Sequence, residues 1–239
     1  MFQHSDRLQI PPLDLVTRLA SSVKIESINP YHPVEVAKTS LPWQLLGRGN
    51  YAAVFTHSDY PNVVVKIYAL NRLGWVEEVE VYKRLGDHPS FSQCLYAQDN
   101  WLILKRLHGI TLYDCMHLGI EIPRQVIQDI DLALDYSKSK GLTPHDVHGR
   151  NVMMSKDRGL VVDISDFLDA SPCRAWQDLK QAYYCLYLPF FSWHQLPVPY
   201  WFLDGVRNIY RYYRYVLKLF IVPHNGLKNF LKIPFSWQK

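Results

Sequence analysis

Between Gln44 and Leu107 the apolar residues fall in short runs that seldom hold helical spacing. QLLGRG, YAAVFTH and NVVVKIYAL are β-favouring stretches separated by glycine and by the turn chemistry of Asp59-Tyr60-Pro61-Asn62. The period then changes in GWVEEVEVYKRLGDHPS, where Val79, Tyr82 and Leu85 recur at every third position and Glu78 stands near their face. CLYAQ and WLILKRL read as two further strands joined by Asp99-Asn100. Three strands, a helix and two strands predict a compact β-rich lobe over residues 41–106.

The helical period takes over after a turn near 107–112. In IPRQVIQDIDLALDYSKSKG, Val126, Ile127, Ile130 and Leu134 form a stripe, Pro123 suits an early helical turn and Gly141 a stop. NVMMS and LVVDI flank KDRG and predict a short hairpin with polar ends, followed by a core-facing helix in DLKQAYYCLYL that starts at Asp178-Leu179. This mostly helical part is expected to span 107–200. Residues 1–40 combine a helix start at PPLDLVTRLA with a strand-like VKIESI, an appendage or the beginning of the β-rich lobe. Residues 201–239 are expected to form an extension whose helix carries Arg207, Arg211, Arg214 and Lys218 on one stripe and Tyr210, Tyr213, Leu217 and Phe220 on the next. The fold class expected is α+β.

Of the 239 residues, 48% are hydrophobic and 20% charged, which argues against wholesale disorder and for a real core. A net charge of +4 is too mild to define a nucleic-acid binder, and nucleic acid is disfavoured as a partner. The distribution says more: seven basic residues and no acidic one lie between Val206 and Lys239, which suits an anionic membrane surface or a partner if the helix does not pack internally. Cys94, Cys115, Cys173 and Cys185 form no metal-type pair and are expected as buried or partly buried thiols. MFQHSDRLQI has no apolar secretory core and no run of 18 apolar residues occurs, so a cytoplasmic setting, peripheral to a membrane at most, is expected.

Several polar residues carry candidate chemistry. Gly47-Arg48-Gly49 lies between strands, either as a plain turn or as a loop whose backbone N–H groups approach phosphates. It is neither a Walker loop nor a dinucleotide fingerprint, because no Gly-Lys-Ser/Thr ending follows and the next element is a strand. Strand alternation puts Lys66 in line with Val64 and Tyr68. A strand lysine is commonly an edge residue, but Glu78, twelve residues on, can orient it by an ion pair so that it neutralises phosphate charge; Glu77 and Glu80 compete, and helical phase favours Glu78. In PHDVHGRNVMM, His145 and His148 lack a third donor at zinc spacing. Asp146, Asn151 and Asp163 instead offer oxygen atoms suited to magnesium and to a substrate hydroxyl, or to Asx turns.

In this order, Gly47-x-Gly49, the VVVK run ending at Lys66, Glu78, Asp146-V-H-G-R-Asn151 and Asp163-Ile164-Ser165 resemble the protein-kinase-like superfamily over about residues 43–185. The resemblance implies a bilobal fold with ATP and Mg2+ as cofactors. Gly47, Gly49 and Val54 would bound the nucleotide, Lys66 would contact its phosphates with Glu78 as helix partner, and Leu104 to Leu107 would form a hinge offering backbone groups to adenine. Asp146 would be the catalytic aspartate, and Asn151 and Asp163 the magnesium ligands.

The departures sharpen this. Ala52 stands where a third loop glycine is usual, and Pro144-His145-Asp146 replaces His-Arg-Asp. His148 is similar to the Asp-x-His of aminoglycoside and choline kinase-like branches, whereas Asp163-Ile164-Ser165 looks closer to the RIO-like branch. Asp166 is a further magnesium contact or a loop cap, and Arg150 supports the loop or reads substrate charge. The short interval from Asp163 to Asp178, without Ala-Pro-Glu, leaves little room for an activation segment. The expected function is ATP-dependent transfer to a hydroxyl, as an atypical serine/threonine protein kinase. The alternatives are a sugar or alcohol kinase, and a nucleotide-binding scaffold without turnover.

Overall fold

Alternation along the strands builds two cores, one on each face of a sheet. In the computed structural model, which describes residues 8–29, 32–37, 41–70, 72, 74–192 and 195–221, five antiparallel strands pair in the order β3-β4-β5-β7-β6. These are β3 (Trp43–Arg48), β4 (Ala52–His57), β5 (Val63–Tyr68), β6 (Cys94–Gln98) and β7 (Trp101–Lys105). Ala53, Phe55, Val63, Val65, Ile67, Trp101 and Ile103 point to one face and are buried in one cluster. Ala52, Val64, Tyr68, Leu102 and Leu104 belong to the cluster on the other face, with Val54 half-buried against it. A period of two thus assigns each residue to a side.

The first face is covered by the N-terminal residues. Val16 and Leu19 of α1 (Leu13–Ser22), with Val23 and Val34, bury themselves on it. A two-stranded ribbon of β1 (Lys24–Glu26) and β2 (Glu35–Ala37) follows α1. Fully burying a side chain such as Phe55 or Leu19 stabilises by about 1.5–3 kcal/mol, so this segment is a layer of the β-rich part. On the other face α2 (Trp75–Leu85) presents Glu78, Val81, Tyr82 and Leu85, all buried. Gly86, at φ 61°, closes that helix in a conformation that costs glycine little.

The helical part shares the second cluster. β8 (Ile110–Thr111) leads into α3 (Leu112–Leu118), whose first turn is capped by Thr111 Oγ1 accepting from the Asp114 N–H at 3.0 Å. In α4 (Arg124–Ser139), Val126, Ile127, Ile130, Ala133 and Leu134 are buried at the predicted spacing. Pro123 stands just outside that helix at its N-cap, with ψ 150°, and not in its first turn. β9 (Val152–Ser155) and β10 (Arg158–Val161) form the expected hairpin, but its turn is Lys156-Asp157 alone, both at positive φ, and Arg158-Gly159 belongs to the strand. Gly159 lies so close to α4 that a Cβ would overlap the Val126 carbonyl.

The next helix begins earlier than its sequence suggested. α5 (Ala175–Ala182) starts three residues before Asp178, because Trp176 is buried and donates its Nε1–H to Asp131 at 2.7 Å, tying the first turn to α4. It continues through a π-turn at Tyr183–Tyr187 into α6 (Leu188–Phe190). Cys185 is exposed there, contrary to the expectation of burial, while Cys115 is buried and Cys94 and Cys173 are half-buried; all four are free thiols. α7 (Tyr200–Ile221) is the predicted C-terminal helix, although the side chains of Leu217, Lys218 and Phe220 and the stretch 222–239 lie outside the described residues. No helix among the described residues is long and apolar enough to cross a membrane. The architecture is an α+β fold with a β-rich N-terminal region and a mostly helical C-terminal region, consistent with a bilobal kinase-like fold.

Candidate active site

β5 and α2 bring the first two candidate residues together. Lys66 leaves the second face of the sheet beside Val64 and Tyr68, and its Nζ donates to Glu78 Oε1 at 2.9 Å. Glu78 is 1% exposed, whereas Glu77 is exposed and Glu80 pairs with Arg84 at 2.8 Å, so helical phase selected the right carboxylate. Tyr68 also donates its hydroxyl to Glu78, a partner that sequence reasoning missed although Tyr68 lies two residues from Lys66 on the same strand face. Burial raises the Tyr68 phenol far above its ordinary value, with Lys66 opposing and Glu78 reinforcing, so it remains a donor at all ordinary pH.

Lys66 reaches in a second direction. Its Nζ lies 3.6 Å from Asp163 Oδ1, at the exit of β10. Burial alone would lower the lysine, but the charges of Asp163 and Glu78 overcome it and hold the ammonium well above its ordinary value. Burial likewise pushes Asp163 upward; Lys66 and the Ser165 N–H, which donates to Oδ1 at 3.2 Å, outweigh that and leave it below the usual carboxylate range. Since the folded value is depressed, this contribution to stability is complete above about pH 5 and is lost as pH falls through and below the ordinary value of about 3.9. Thermal melts between pH 3 and 7 should therefore show a steeper acid loss for the native chain than for Asp163→Asn. Parallel curves would separate Asp163 from the ion pair.

The hairpin end carries the remaining candidates. The Val162 N–H donates to the Asn151 carbonyl at 2.9 Å, which sets Asn151 beside Asp163. Asn151 Nδ2 donates to the Asp146 carbonyl at 3.0 Å, and among the described residues nothing donates to its Oδ1. Asp146 sits at φ 53°, a left-handed conformation that Asp and Asn tolerate better than most residues. Its N–H is held by Cys173 Sγ at 3.3 Å, across 27 residues of sequence. Asp166 is pushed up by burial, then by Asp163 and Asp146, which lie within electrostatic reach of it. Tyr51, at the β3–β4 turn, is raised by burial and then by Asp166, with smaller contributions from Asp146 and Asp163. It thus lies within electrostatic reach of the aspartates, a placement the sequence did not suggest.

His148 and Arg150 were ambiguous in sequence. The Arg150 N–H donates to His148 Nδ1 at 3.3 Å, which leaves the proton on Nε2, 3.6 Å from Asp146 Oδ2 and too far for a hydrogen bond. Burial pulls His148 below its ordinary value despite Asp146, so at neutral pH it is uncharged. Arg150 donates to Asp204 Oδ1 of α7 at 2.8 Å and stacks on Tyr113, its Cζ 4.1 Å from the ring centre. It is a strut between the loop and α7 and not a free cation.

The nucleotide-side candidates are placed more loosely. Gly47 pairs with Val54 across the β3–β4 hairpin, and a Cβ on Gly47 would meet nothing within 4 Å. Neither Gly47 nor Gly49 takes a positive φ, so the turn does not require glycine for its conformation. The Gly49 N–H donates to the Ala52 carbonyl at 2.9 Å and is occupied within the turn, unlike the free phosphate donor expected. Leu104 is 5% exposed and paired in β7, and the Lys105 and Arg106 N–H groups donate to Gln93 and Asn62 at 2.9 and 2.8 Å. Of the stretch 104–107, in which a hinge was expected, only the Arg106 carbonyl and the backbone of Leu107 are left without a bond to a described residue. Among the described residues, no three His, Cys, Asp or Glu side chains form a metal cluster by themselves.

A protein of Bacillus subtilis (strain 168), "Putative serine/threonine-protein kinase YrzF", is similar to this chain in sequence, 28% identical over 156 residues, or 64% of this chain and 73% of that protein. No protein-family model matches the chain. Among solved structures, Rad53 1-466 in complex with AMP-PNP superposes with a TM-score of 0.43 at 20% identity, over 50% of this chain and 36% of that one. The Mycobacterium tuberculosis PknI kinase domain gives 0.41 at 21% identity, over 56% of this chain and 63% of that one. Both superpositions span less than two thirds of the solved chains.

Proposed function

We propose that this chain is an ATP- and magnesium-dependent phosphotransferase acting on a hydroxyl group. The observation that carries the reading is Lys66, held between buried Glu78 and cleft-facing Asp163, with Asp146 and Asn151 fixed at the adjoining hairpin end. The donor set fits magnesium: a depressed carboxylate at Asp163, an amide oxygen at Asn151 to which no described residue donates, and Asp166, raised first by burial and then by Asp163 and Asp146. Asp163 and Asn151 would hold the ion, which when bound offsets phosphate charge. Lys66 binds the nucleotide phosphates, kept charged and oriented by Glu78. Asp146 accepts the proton of the acceptor hydroxyl as its oxygen bonds to the γ-phosphorus, and the bond to the bridging oxygen breaks to release ADP.

A hydroxyl on protein Ser or Thr is the preferred acceptor, supported by the similarity to YrzF and by the RIO-like Asp163-Ile164-Ser165. A sugar or alcohol acceptor has its own support. The segment between Asp163 and α5 turns inward through buried Phe167, whose carbonyl accepts from the Thr143 N–H at 2.8 Å, and it offers no extended peptide platform. A screen of protein and small-molecule acceptors with labelled ATP and magnesium, the products read by mass spectrometry, should give a phosphate ester whose formation stops on Asp163→Asn. Binding of magnesium-ATP without any ester would replace transfer by a scaffold role.

A further inference from the structure

α7 presents a polar stripe to the protein. Tyr200, Asp204, Arg207, Arg211 and Arg214 succeed one another at spacings of four, three, four and three, which keeps them on one side of the helix. Three of these positions are anchored. Tyr200 donates to Asp114 at 3.0 Å, Asp204 accepts from Tyr113 and Arg150 at 2.8 Å each, and Arg214 lies 3.9 Å from Asp178, to which Tyr210 donates at 2.8 Å. Arg207 and Arg211, between the anchors, therefore face the gap between the Asp146 loop and α5. Within that loop the Arg150 N–H reaches His148 at 3.3 Å, and His148 stands 3.6 Å from Asp146. Burial lowers His148 most, and Arg207 lowers it further, so that arginine is within electrostatic reach of the loop.

The two guanidinium groups have no carboxylate of their own. Neither makes an ion pair with a described residue, and Asp204 and Asp178 are engaged by Arg150 and by Tyr210 and Arg214. No Asp or Glu follows Asp204 in the sequence. Arg207 and Arg211 instead stand at i and i+4, a like-charge pair that weakens a helix. Partial burial, then the charges of Arg150 and Arg211, draw Arg207 below its ordinary value against the pull of Asp204 and Asp146. A bound anion relieves such repulsion, and guanidinium suits one, because its paired N–H groups match a carboxylate or a phosphate.

We propose that Arg207 and Arg211 bind an anionic group of the acceptor, an Asp or Glu side chain beside the Ser or Thr whose hydroxyl is delivered to Asp146. This rests on the reading of the chain as a hydroxyl phosphotransferase and narrows its substrate class. On that reading Lys66 serves the nucleotide phosphates, which leaves these arginines to the acceptor. The segment between Asp163 and α5 offers no extended surface for a peptide, so an acceptor chain has to be held from another side. α7, joined to the Asp146 loop through Arg150 and Asp204, supplies one.

Binding and transfer are measured separately on the full chain with Ser peptides identical except for Glu, Gln or Lys on both sides of the Ser. By fluorescence anisotropy the Glu peptide should bind about tenfold more tightly than the Gln peptide, the worth of one charge-assisted hydrogen bond. The preference should shrink as salt screens it. Arg207→Gln/Arg211→Gln should abolish the preference while magnesium-ATP affinity stays native and the thermal melt is no lower, and Arg207→Lys/Arg211→Lys should restore part of it. In transfer assays the advantage of the Glu peptide should lie in KM and not in kcat. Equal binding of the Glu and Gln peptides, binding of neither, or a preference that the Gln variant retains overturns the proposal. A weakened magnesium-ATP affinity in that variant also overturns it and assigns the arginines to the nucleotide, and a lower melt assigns them to the fold. Selective binding of the Glu peptide that the variant loses, with no phosphate ester formed on any peptide, would sustain the anion site and remove the transfer, so the two readings fail separately.

Discussion

Asp146→Asn is expected to lower ATP-dependent transfer by about 10²–10⁴-fold, the usual worth of a positioned general base, while leaving the folded state intact. Asn has the same shape and tolerates the φ of 53° that this position requires. It also keeps the N–H that Cys173 holds and the carbonyl that accepts from Asn151. The side chain is 52% exposed, so loss of its charge disturbs no buried network. His148 is uncharged near neutrality and 3.6 Å away, and cannot replace the carboxylate as proton acceptor through that contact. Single-turnover rates measured with an excess of enzyme would report the chemical step. A rate unchanged by the substitution would remove Asp146 from the reaction, and a lower melting temperature would reassign it to structure.

Glu78→Leu should be the most destabilising single change in the cleft. Glu78 is 1% exposed and receives Lys66, 2.8 Å from Oε2, and the Tyr68 hydroxyl; Lys66 itself is only 12% exposed. Removing the carboxylate strands an ammonium and a phenol in a dry site, a loss of about 3–5 kcal/mol for a broken buried pair. Asp163, 3.6 Å from Nζ, is a partial substitute and draws the value toward the lower end. Urea denaturation should show the midpoint falling without a change in slope. The double variant Lys66→Met/Glu78→Leu should recover much of the loss, because an apolar pair asks for no compensation, and the cycle would isolate the interaction. Recovered stability without recovered nucleotide binding would show that the pair exists for phosphate charge and not for the fold. A loss below about 1 kcal/mol, the range of exposed pairs, would show that water reaches the pair freely.

Local pattern made much of this site readable. Lys66 could be assigned to the inner face because VVVKIY alternates, and Glu78 because a helix with Val79, Tyr82 and Leu85 on one side must turn it toward the sheet. The spacing of Asp146, Asn151 and Asp163 acquires meaning because a short hairpin returns the chain to its starting point, bonding Val162 to Asn151. What escaped depends on partners remote in the chain. Cys173 under Asp146, Tyr113 and Arg150 on Asp204, and Trp176 on Asp131 join residues 27 to 91 positions apart. The start of α5 was misplaced for the same reason, since Asp131 fixes a first turn that no local cap announces.

The C-terminal helix shows where this division falls. Its sequence determined that a helix forms, that basic and aromatic residues occupy separate stripes, and that no acid follows Val206, because periodicity and charge are properties of the chain itself. Which stripe faces inward was decided by tertiary contacts. Asp114, Asp178 and Arg150 are brought to one side by α3, α5 and the Asp146 loop, and they offer polar groups that only the Tyr200, Asp204, Tyr210 and Arg214 face can satisfy. Polar groups at a packed surface need partners more than an apolar stripe needs cover, so α7 turned its aromatic residues outward.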